Sequence, residues 1–431
     1  MATVPISEAR RHVGEEVTLQ GWLYNKRSSG KILFLQIRDG SGVLQAVLAE
    51  PDNPNLFAVA NRLPRETSFH VTGTLREDRR APSGCEMQLK DIDVVQEPTE
   101  DFPIELKEQT PGFLMDHRHL WIRTGSQVPI LRISDATFRA FRAFFYERGF
   151  VATEAPILTG ASVEGTTTLF ELDYFGDKAY LSQSGQLYLE ATAMALGKVY
   201  WIGPAFRAEK SKTRKHVTEF WIAEAEMAFY DHRANLALQE DLVRYIVESV
   251  VAEKKDELGQ LKRDVDLLLE EVRGPFPRID YSDAVKLLQE KGHSVSFGGD
   301  FGAPEEETLG DHFRKPVFIE RFPVAMKPFY MKRDPADSGR VLGADLIAPE
   351  GYGEIIGGSQ RVDTLDDLLR QLEENHLPRE AYEWYIDLRK YGSVPHSGFG
   401  MGLARVVTWI CGAAHIREVI PFPRMIHRLY P

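Results

Sequence analysis

Cysteine is nearly absent from this sequence. Its 431 residues include two cysteines, Cys85 and Cys411, and they form no CxxC pair. A disulfide framework and a cysteine-ligated zinc site are therefore not expected. The first residues, MATVPISEARRHVGEE, also lack the apolar stretch of a secretory signal. Because chains without disulfides are typical of reducing compartments, we expect a cytoplasmic protein.

Long hydrophobic runs are missing as well. No apolar stretch approaches the roughly 18 residues that a membrane-spanning helix needs. Hydrophobic residues make up 43% of the chain and charged residues 27%, which excludes disordered and collagen-like proteins. Because domains usually contain roughly 100–200 residues, the length predicts two or three globular domains and no membrane partner.

Positive charge is in deficit. The chain has 52 Lys and Arg residues against 64 Asp and Glu residues, so its formal net charge is −12. Overall attraction cannot hold a polyanion to such a chain, and any nucleic-acid site must be a local basic patch. One candidate for sequence-independent binding is the set of basic residues at positions 10, 11, 26, 27, 31, 79 and 80.

Five short runs in the first hundred residues alternate apolar and polar side chains. They are EVTLQGWLYNKR, KILFLQIRDGSG, VLQAVLAE, SFHVTGTLRED and EMQLKDIDVVQE. Such alternation is typical of strands that bury one face, and five of them favour a small antiparallel barrel. We predict a barrel domain over 1–100, a proline-containing linker over 101–125 and a second domain over 126–431.

The second domain opens with a helical pattern. The segment SDATFRAFRAFFYERGF places four phenylalanines at helical spacing, which predicts a helix capped by Ser134 or Asp135 and ended by Gly149. Strand patterns such as KVYWIGPAFRAE and TEFWIAEAEMAFY follow, mixed with further helical patterns. The second domain is therefore predicted to be α+β.

A basic hairpin is predicted between two of these strands. The first strand ends at Arg207, and the loop that follows holds Lys210, Lys212, Arg214, Lys215 and His216. An arginine at a strand end presents a planar fork of donors that suits phosphate. An aromatic residue such as Phe220, on the returning strand, can stack on a base. Taken alone, such a loop is equally well interpreted as a solvated hairpin.

Alternating glycines mark a second candidate site near the C-terminus. Gly398, Gly400 and Gly402 lie on a predicted strand, where glycine usually means that another group approaches closely. The strand leads into a helix that begins near Arg405. Because an arginine in the first helical turn opposes the helix dipole, a bound polyanion would explain its position.

Two carboxylates in GADLIAPEGYGEIIGGSQR form the third candidate site. Asp345 and Glu354 bracket a Gly/Pro turn and are followed by Arg361. Hard oxygen ligands and nucleotide phosphates commonly share the coordination sphere of Mg²⁺. The alternative is a pair of exposed acidic residues.

These segments resemble the motifs of the class II aminoacyl-tRNA synthetases. The basic hairpin is similar to motif 2 and the C-terminal segment to motif 3, while the first helix of the second domain, continued to Pro156, resembles the motif 1 dimer interface. The likeness covers nearly the whole chain and is strongest to the aspartyl, asparaginyl and lysyl branch. It implies an oligonucleotide-binding (OB) barrel and a catalytic domain with an antiparallel sheet flanked by helices. It also implies a homodimer that uses ATP and Mg²⁺ and binds tRNA through its anticodon and acceptor end.

The resemblance implies a role for each matching residue. ATP contacts are implied for Arg207, Glu209, Lys215, His216, Phe220, Glu354, Gly402 and Arg405, of which Arg207 and Arg405 are the catalytic pair. Amino-acid contacts are implied for Glu164, Gln186, Arg207, Glu224 and Arg361, and Mg²⁺ ligation for Glu354 and Asp345. Anticodon contacts are implied for Arg27, Phe34 and Gln45, although a strand phenylalanine such as Phe34 is equally often a barrel-core residue.

Within the branch, SVEGTTTLFELDYF, LSQSGQLYLEA, GEIIGGSQR and VPHSGFGMG look most like the asparaginyl enzymes. The aspartyl enzymes carry a lysine where this chain has Leu189, and burying an aspartate without that cation would be costly. Glu224 would accept a hydrogen bond from a carboxamide and repel a carboxylate. We therefore expect activation of asparagine with ATP and its transfer to tRNA.

Three other functions stay open at this point. The chain could be an aspartyl enzyme of relaxed specificity, with Leu189 a plain core residue, or a tRNA-independent paralogue that makes asparagine. It could also be a non-catalytic RNA-binding relative, because motif 3 usually opens with Glu-Arg and here reads Ala404-Arg405. The intact arginines favour activity, but the missing carboxylate leaves open what orients Arg405.

Overall fold

The chain folds as two units, Met1–Leu114 and Met115–Pro431, and each has its own hydrophobic core. The computed structural model describes residues 2–81, 83–163, 168–210 and 213–431. The boundary between the units falls inside the segment predicted as a linker. Across the part of the chain that is described, no helix has both the length and the apolar character of a membrane span.

The first unit is a closed barrel. Its elements are a 3₁₀ helix at Ile6–His12, strands β1 (Glu16–Ser29), β2 (Ile32–Arg38), β3 (Val43–Ala49), β4 (Ser68–Glu77) and β5 (Cys85–Gln96), and helix α1 (Pro54–Arg62) between β3 and β4. The strand order is β1-β2-β3-β5-β4, closed by pairing of β4 with β1. All neighbours are antiparallel except β3 and β5. The five predicted strands are thus present in the predicted barrel.

Strict alternation along β2 shows how the barrel is filled. Leu33, Leu35 and Ile37 are at most 1% exposed and belong to the barrel core. Phe34, between two of them, is only half-buried and lies on the outer face, because successive side chains of a strand point to opposite sides. The period-2 pattern therefore settles the orientation of every side chain on this strand.

The second unit contains helices α2–α13 and strands β6–β18. The helices are α2 (Pro111–Asp116), whose first residues belong to the first unit, α3 (Arg118–Trp121), α4 (Val128–Glu147), α5 (Gln186–Leu196), α6 (His232–Glu253), α7 (Lys255–Gln260), α8 (Val265–Glu271), α9 (Tyr281–Glu290), α10 (Ala303–Phe313), α11 (Leu365–Glu374), α12 (Glu383–Lys390) and α13 (Leu403–Cys411). The strands are β6 (Val151–Ala152), β7 (Leu158–Thr159), β8 (Glu171–Tyr174), β9 (Asp177–Leu181), β10 (Lys198–Phe206), β11 (Glu219–Ala228), β12 (Arg278–Asp280), β13 (Val317–Glu320), β14 (Arg333–Asp334), β15 (Asp337–Val341), β16 (Gly343–Ala348), β17 (Gly353–Gln360) and β18 (His396–Gly402). Short 3₁₀ helices occur at Val324–Met326, Arg379–Tyr382 and Ile416–Glu418.

An eight-stranded sheet of order β12-β13-β16-β17-β18-β11-β10-β6 forms the centre of this unit. It is antiparallel except at its two ends, where β12 pairs with β13 and β6 with β10 in parallel. On β11, Ala223, Ala225 and Met227 face the core formed with α4, α6 and α13. Ile222 and Glu224 alternate with them and therefore lie on the opposite face, where the candidate site is found.

Two helix predictions need correction. Helix α4 begins at Val128, six residues before the predicted cap, because Pro129 occupies its first turn, where a missing N–H costs nothing. Its end agrees with the prediction, since Gly149 follows with a positive φ of 72°. The segment ANLALQEDLVRYIVESVVAEKKDELGQLKRDVDLLLEEVR, whose apolar pattern predicts one or two amphipathic helices, forms three, α6, α7 and α8.

Gly73 of β4 offers a test of barrel packing. A Cβ at this position would lie 2.2 Å from the carbonyl oxygen of Gln88 and 2.6 Å from Cγ of Met87 on β5. We expect Gly73→Ala to lower the opening free energy of β4 and β5 amides by about 1–3 kcal/mol, measured by hydrogen exchange in the full chain. Gly40→Ala is the control, since a Cβ there meets no atom within 4 Å. Equal protection in the two variants would contradict this account.

Candidate active site and anticodon-binding face

One cavity of about 510 Å³ collects the predicted site residues of the second unit. Its lining includes Gln186, Arg207, Glu209, Lys215, His216, Phe220, Glu224, Asp345, Glu354, Arg361, Gly402 and Arg405. Of the residues predicted for this site, Glu164 lies outside the described residues, as does Lys212 of the basic hairpin. Residues separated by more than 200 positions in sequence thus surround one space.

The ends of neighbouring sheet strands position the arginines. Arg207 follows the last residue of β10, and its guanidinium carbon lies 5.6 Å from the ring centre of Phe220 on β11. Arg405 lies in the first turn of α13, directly after β18. Because β10, β11 and β18 are adjacent and antiparallel, these ends meet at one edge of the sheet face.

Glu354 orients Arg405. The guanidinium Nη1 donates to the Glu354 carbonyl oxygen at 2.8 Å and to its carboxylate Oε2 at 3.1 Å. Burial alone would raise the pKa of Glu354, but Arg405 and Lys327 hold it below its usual value. A carboxylate from β17 thus holds Arg405, which answers the question raised by Ala404 at the start of this helix.

A second carboxylate, Asp345 of β16, faces the same space. A Cβ on Gly357 would lie 3.0 Å from Oε1 of Glu354 and 3.7 Å from Oδ1 of Asp345, so both carboxylates border one gap. Burial and the neighbouring Glu354 raise the pKa of Asp345 to about 6, against the opposing effect of Lys327. Lys327 Nζ donates to Asp345 Oδ2 at 2.6 Å. Two repelling carboxylates with oxygens free to share are a suitable pair of ligands for a divalent cation.

The basic hairpin is held by an acidic helix that the sequence analysis missed. Lys215 Nζ lies 2.8 Å from Oε2 of Glu306, on α10, and both side chains are largely buried. Gly353 is required beside them, because its φ is 74° and a Cβ would lie 2.1 Å from both charged groups. Burial, followed by the charge of Arg405, lowers the pKa of His216, which favours a neutral imidazole. Because Lys215 is paired with Glu306, its charge is already balanced by a carboxylate before a phosphate binds.

Glu224 and Gln186 form a separate part of the cavity wall. Glu224 is 4% exposed and accepts hydrogen bonds from the Ser184 hydroxyl and, at 2.7 Å, from the Gly185 amide. Gln186, at the start of α5, donates to Glu190 at 3.1 Å. Both oxygens of the Glu224 carboxylate are thus hydrogen-bonded within the cavity wall, which fixes the carboxylate in place.

Arg361 is fixed by Glu226, which the sequence analysis also missed. Its Nε donates to both Glu226 oxygens, at 3.1 and 3.3 Å, its Nη2 contacts Oε1, and Nη1 donates to Ser359 at 2.7 Å. Burial alone would lower the pKa of Arg361, but the carboxylate of Glu226 opposes this effect. The pKa is raised overall, so the guanidinium is charged. A signal was present: Glu226 is two residues beyond Glu224 on β11 and therefore shares its face.

The glycines of β18 make room for these acidic side chains. Gly398 pairs with Glu226 and Gly400 with Glu224 across the sheet. A Cβ at Gly398 would lie 2.0 Å from Glu226 Oε1. The close approach predicted from the alternating glycines is thus, at Gly398, that of a neighbouring carboxylate.

Leu189 does not line the cavity, which agrees with the alternative that it is a core residue. Its side chain is 0% exposed and packs in a small core with Trp201 and Ile222. Lys327 lines the cavity, as Lys215 does, and Asp345, Glu354 and Asp300 are the carboxylates that raise the pKa of Lys327 against burial. Leu189 therefore contributes no group to the cavity wall.

The predicted anticodon residues share the outer face of the barrel. Arg27, Phe34 and Gln45 lie on the adjacent strands β1, β2 and β3, and Arg27 pairs with Phe34 in register. The Arg27 guanidinium lies 4.4 Å from the Phe34 ring centre. Gln45 donates to Glu86 of β5 at 3.1 Å. Phe34 is therefore a surface aromatic and not a core residue.

Both units match families of known proteins. Residues 111–426 match the family described as tRNA synthetases class II (D, K and N), and residues 17–95 match the OB-fold nucleic acid binding domain. The chain is 55% identical to an asparagine–tRNA ligase of Pelotomaculum thermopropionicum, over the full length of both chains. It is 53% identical to an asparagine–tRNA ligase of Thermus thermophilus, covering 99% of each.

A solved structure extends this similarity to three dimensions. The asparaginyl-tRNA synthetase of Pyrococcus horikoshii, complexed with asparaginyl-adenylate, superposes with a TM-score of 0.94 at 44% identity, covering 98% of this chain and 97% of that one. Because the match covers 98% of this chain, it includes residues of both units. The chain belongs to the class II tRNA synthetases of the aspartyl, lysyl and asparaginyl group, with an OB-fold domain preceding its catalytic domain.

Proposed function

We propose that this protein is an asparagine–tRNA ligase that acts in the cytoplasmic setting predicted from the sequence. It activates asparagine with ATP and transfers the asparaginyl group to tRNA. The observation that carries the proposal is the single cavity that combines nucleotide-type groups, Arg207, Arg405 and the Asp345–Glu354 pair, with the polar wall of Glu224. The similarity to asparagine–tRNA ligases over the whole chain supports the choice of amino acid.

In the proposed reaction the asparagine α-carboxylate attacks the α-phosphorus of ATP and expels pyrophosphate. The 3′-terminal ribose hydroxyl of tRNA then attacks the carbonyl carbon of the asparaginyl-adenylate and releases AMP. No protein nucleophile is needed, so catalysis comes from positioning and from charge stabilisation. Arg207, at the end of β10, neutralises the α-phosphate and the attacking carboxylate. Arg405, oriented by Glu354, neutralises the phosphates that leave.

Asp345 and Glu354 would hold Mg²⁺, whose charge would neutralise the nucleotide phosphates when it is bound. The shared gap beside Gly357 supports this assignment. In the described part of the chain no group of three or more His, Cys, Asp or Glu side chains is arranged for a metal. We therefore assign a site that the nucleotide completes and not a metal cage formed by protein alone.

A homodimer is also proposed. The segment that resembles motif 1 and the two residues after it leave large apolar side chains exposed: Tyr146 at 80%, Val151 at 43%, Ile157 at 43% and Leu158 at 44%. Val151 belongs to β6, the edge strand of the eight-stranded sheet. An apolar group next to an unpaired sheet edge is a suitable surface for a second copy of the chain.

Amino-acid-dependent ATP–pyrophosphate exchange tests the choice of substrate. With the purified protein we expect a kcat/KM for asparagine at least about 100-fold above that for aspartate, since a buried polar site rejects a ligand that leaves its groups mismatched. A reaction without amino acid gives the background. Comparable values for the two amino acids would instead support an aspartyl enzyme of relaxed specificity.

Replacing Arg207 tests the activation step. Arg207→Ala should reduce ATP–pyrophosphate exchange by at least about 100-fold, because it removes the charge that stabilises the transferring phosphoryl group. Circular dichroism and thermal unfolding should stay close to those of the unmodified protein. Arg233→Ala, at an exposed position of α6, is the matched control. Near-native exchange in Arg207→Ala would remove this residue from the mechanism, whereas absence of exchange in the unmodified protein would favour a non-catalytic relative.

Replacing Phe34 tests the anticodon face. Stacking of a base on an aromatic ring is worth about 1–3 kcal/mol, so Phe34→Ala should lower kcat/KM for tRNA charging by about 5- to 150-fold. Amino-acid activation, measured by exchange, should not change. Phe57→Ala deletes the same ring from α1, where it packs against the barrel core, and controls for barrel stability. An equal fall of charging and activation in Phe34→Ala would assign the ring a structural role, and normal charging would remove Phe34 from tRNA binding. Activation without any charging by the unmodified protein would instead support a tRNA-independent enzyme.

A further inference from the structure

A buried polar cluster lies next to Gln186, which together with Glu224 forms one part of the cavity wall. Its centre is Glu190 of α5, which has no exposed surface. One carboxylate oxygen, Oε2, accepts from Tyr385 at 2.7 Å, Arg389 at 2.7 Å and His396 at 2.9 Å, while Oε1 accepts from Gln186 at 3.1 Å. The cluster thus joins α5, α12 and the first residue of β18 through one carboxylate.

Glu190 is ionised in this environment. Burial alone would raise its pKa, but Arg389 and then His396 hold the pKa below its usual value. The side chains of Glu190, Arg389 and His396 are all fully buried. A buried ion pair costs desolvation that it seldom recovers in stability, so its presence next to a binding site suggests a role in the chemistry of that site.

Two connections lead from Glu190 to groups that line the cavity. An ionised carboxylate only accepts hydrogen bonds, so the amide NH₂ of Gln186 must face Glu190 and its carbonyl oxygen must lie on the other side of the amide. Arg389 donates through Nε to the carbonyl oxygen of Val362 at 2.9 Å, one residue beyond Arg361. Glu190 also raises the pKa of Arg361 through its charge.

We propose that Glu190, without touching the substrate, sets the selectivity for a carboxamide over a carboxylate. Its carboxylate neutralises Arg389, which would otherwise present positive charge behind Gln186 and Arg361. With Glu190 ionised and Arg361 neutralised by Glu226, an entering aspartate finds no unbalanced cation behind this wall. This inference rests on the proposed asparagine function and assigns its selectivity to the charge of a positioning residue.

The test compares two single variants of opposite charge effect. In ATP–pyrophosphate exchange, the KM for asparagine and the competitive Ki of aspartate give the affinity ratio of the two amino acids. Glu190→Gln leaves Arg389 uncompensated and should shift this ratio toward aspartate by about 10- to 50-fold, the effect of a unit charge several ångströms away. Arg389→Gln leaves Glu190 uncompensated and should shift the ratio away from aspartate.

The opposite directions separate charge from damage, because structural damage would move the ratio in the same direction in both variants or change both amino acids equally. Tyr385→Phe removes one hydrogen bond from the same carboxylate without changing charge, and the ratio should stay within about twofold. If Glu190→Gln does not fold, a shift away from aspartate in Arg389→Gln still supports the inference, and an unchanged ratio there overturns it. If the unmodified protein fails to activate asparagine, the proposed function itself is wrong, which is a different result.

Discussion

Pairing of buried opposite charges is the interaction on which the catalytic unit depends. Four cations that line the cavity are each held by a carboxylate from another element: Arg405 by Glu354, Lys327 by Asp345, Lys215 by Glu306 and Arg361 by Glu226. An unpaired charge at the depth of Arg361 and Glu226 would cost several kcal/mol, and each of the four pairs fixes side-chain positions before a ligand binds. The site is therefore preorganised by its own counter-ions, and incoming phosphates compete with carboxylates for cations that are already in place.

The sheet makes this pairing possible. Antiparallel neighbours bring β11, β18 and β17 side by side, so that Glu226 on one strand lies across from Gly398 on the next and near Arg361 after the third. The opposite face of β11 carries small apolar residues that pack on helices. One set of β11 side chains therefore packs in the core, and the alternating set lies on the charged face. Because the strand is held by the packed core, the charged side chains are held in position as well.

The sequence predicts those features that have a local period or a specific motif. The barrel strands, the outward direction of Phe34 and the collection of motif residues around one cavity belong to this group. Pairings across distant elements do not: Glu306 and Lys215 are 91 positions apart, and nothing in either neighbourhood indicates the other. The predicted start of α4 was wrong, because the apolar periodicity begins only after the first turn and the preference of Pro129 for that turn was not considered. The motif identifies Leu189 as the replacement of a lysine but does not indicate its environment, which is a core with Trp201 and Ile222.

The side chain of Glu226 fills the space next to Gly398, so the residues that can be tolerated at these two positions depend on each other. The carboxylate occupies the place where any side chain at 398 would begin. A larger residue at 398 is accommodated only together with a shorter one at 226, and that exchange removes the counter-ion of Arg361. Mutations at the two positions are therefore expected to be strongly non-additive, and a library that varies either position by itself would sample only unfavourable combinations.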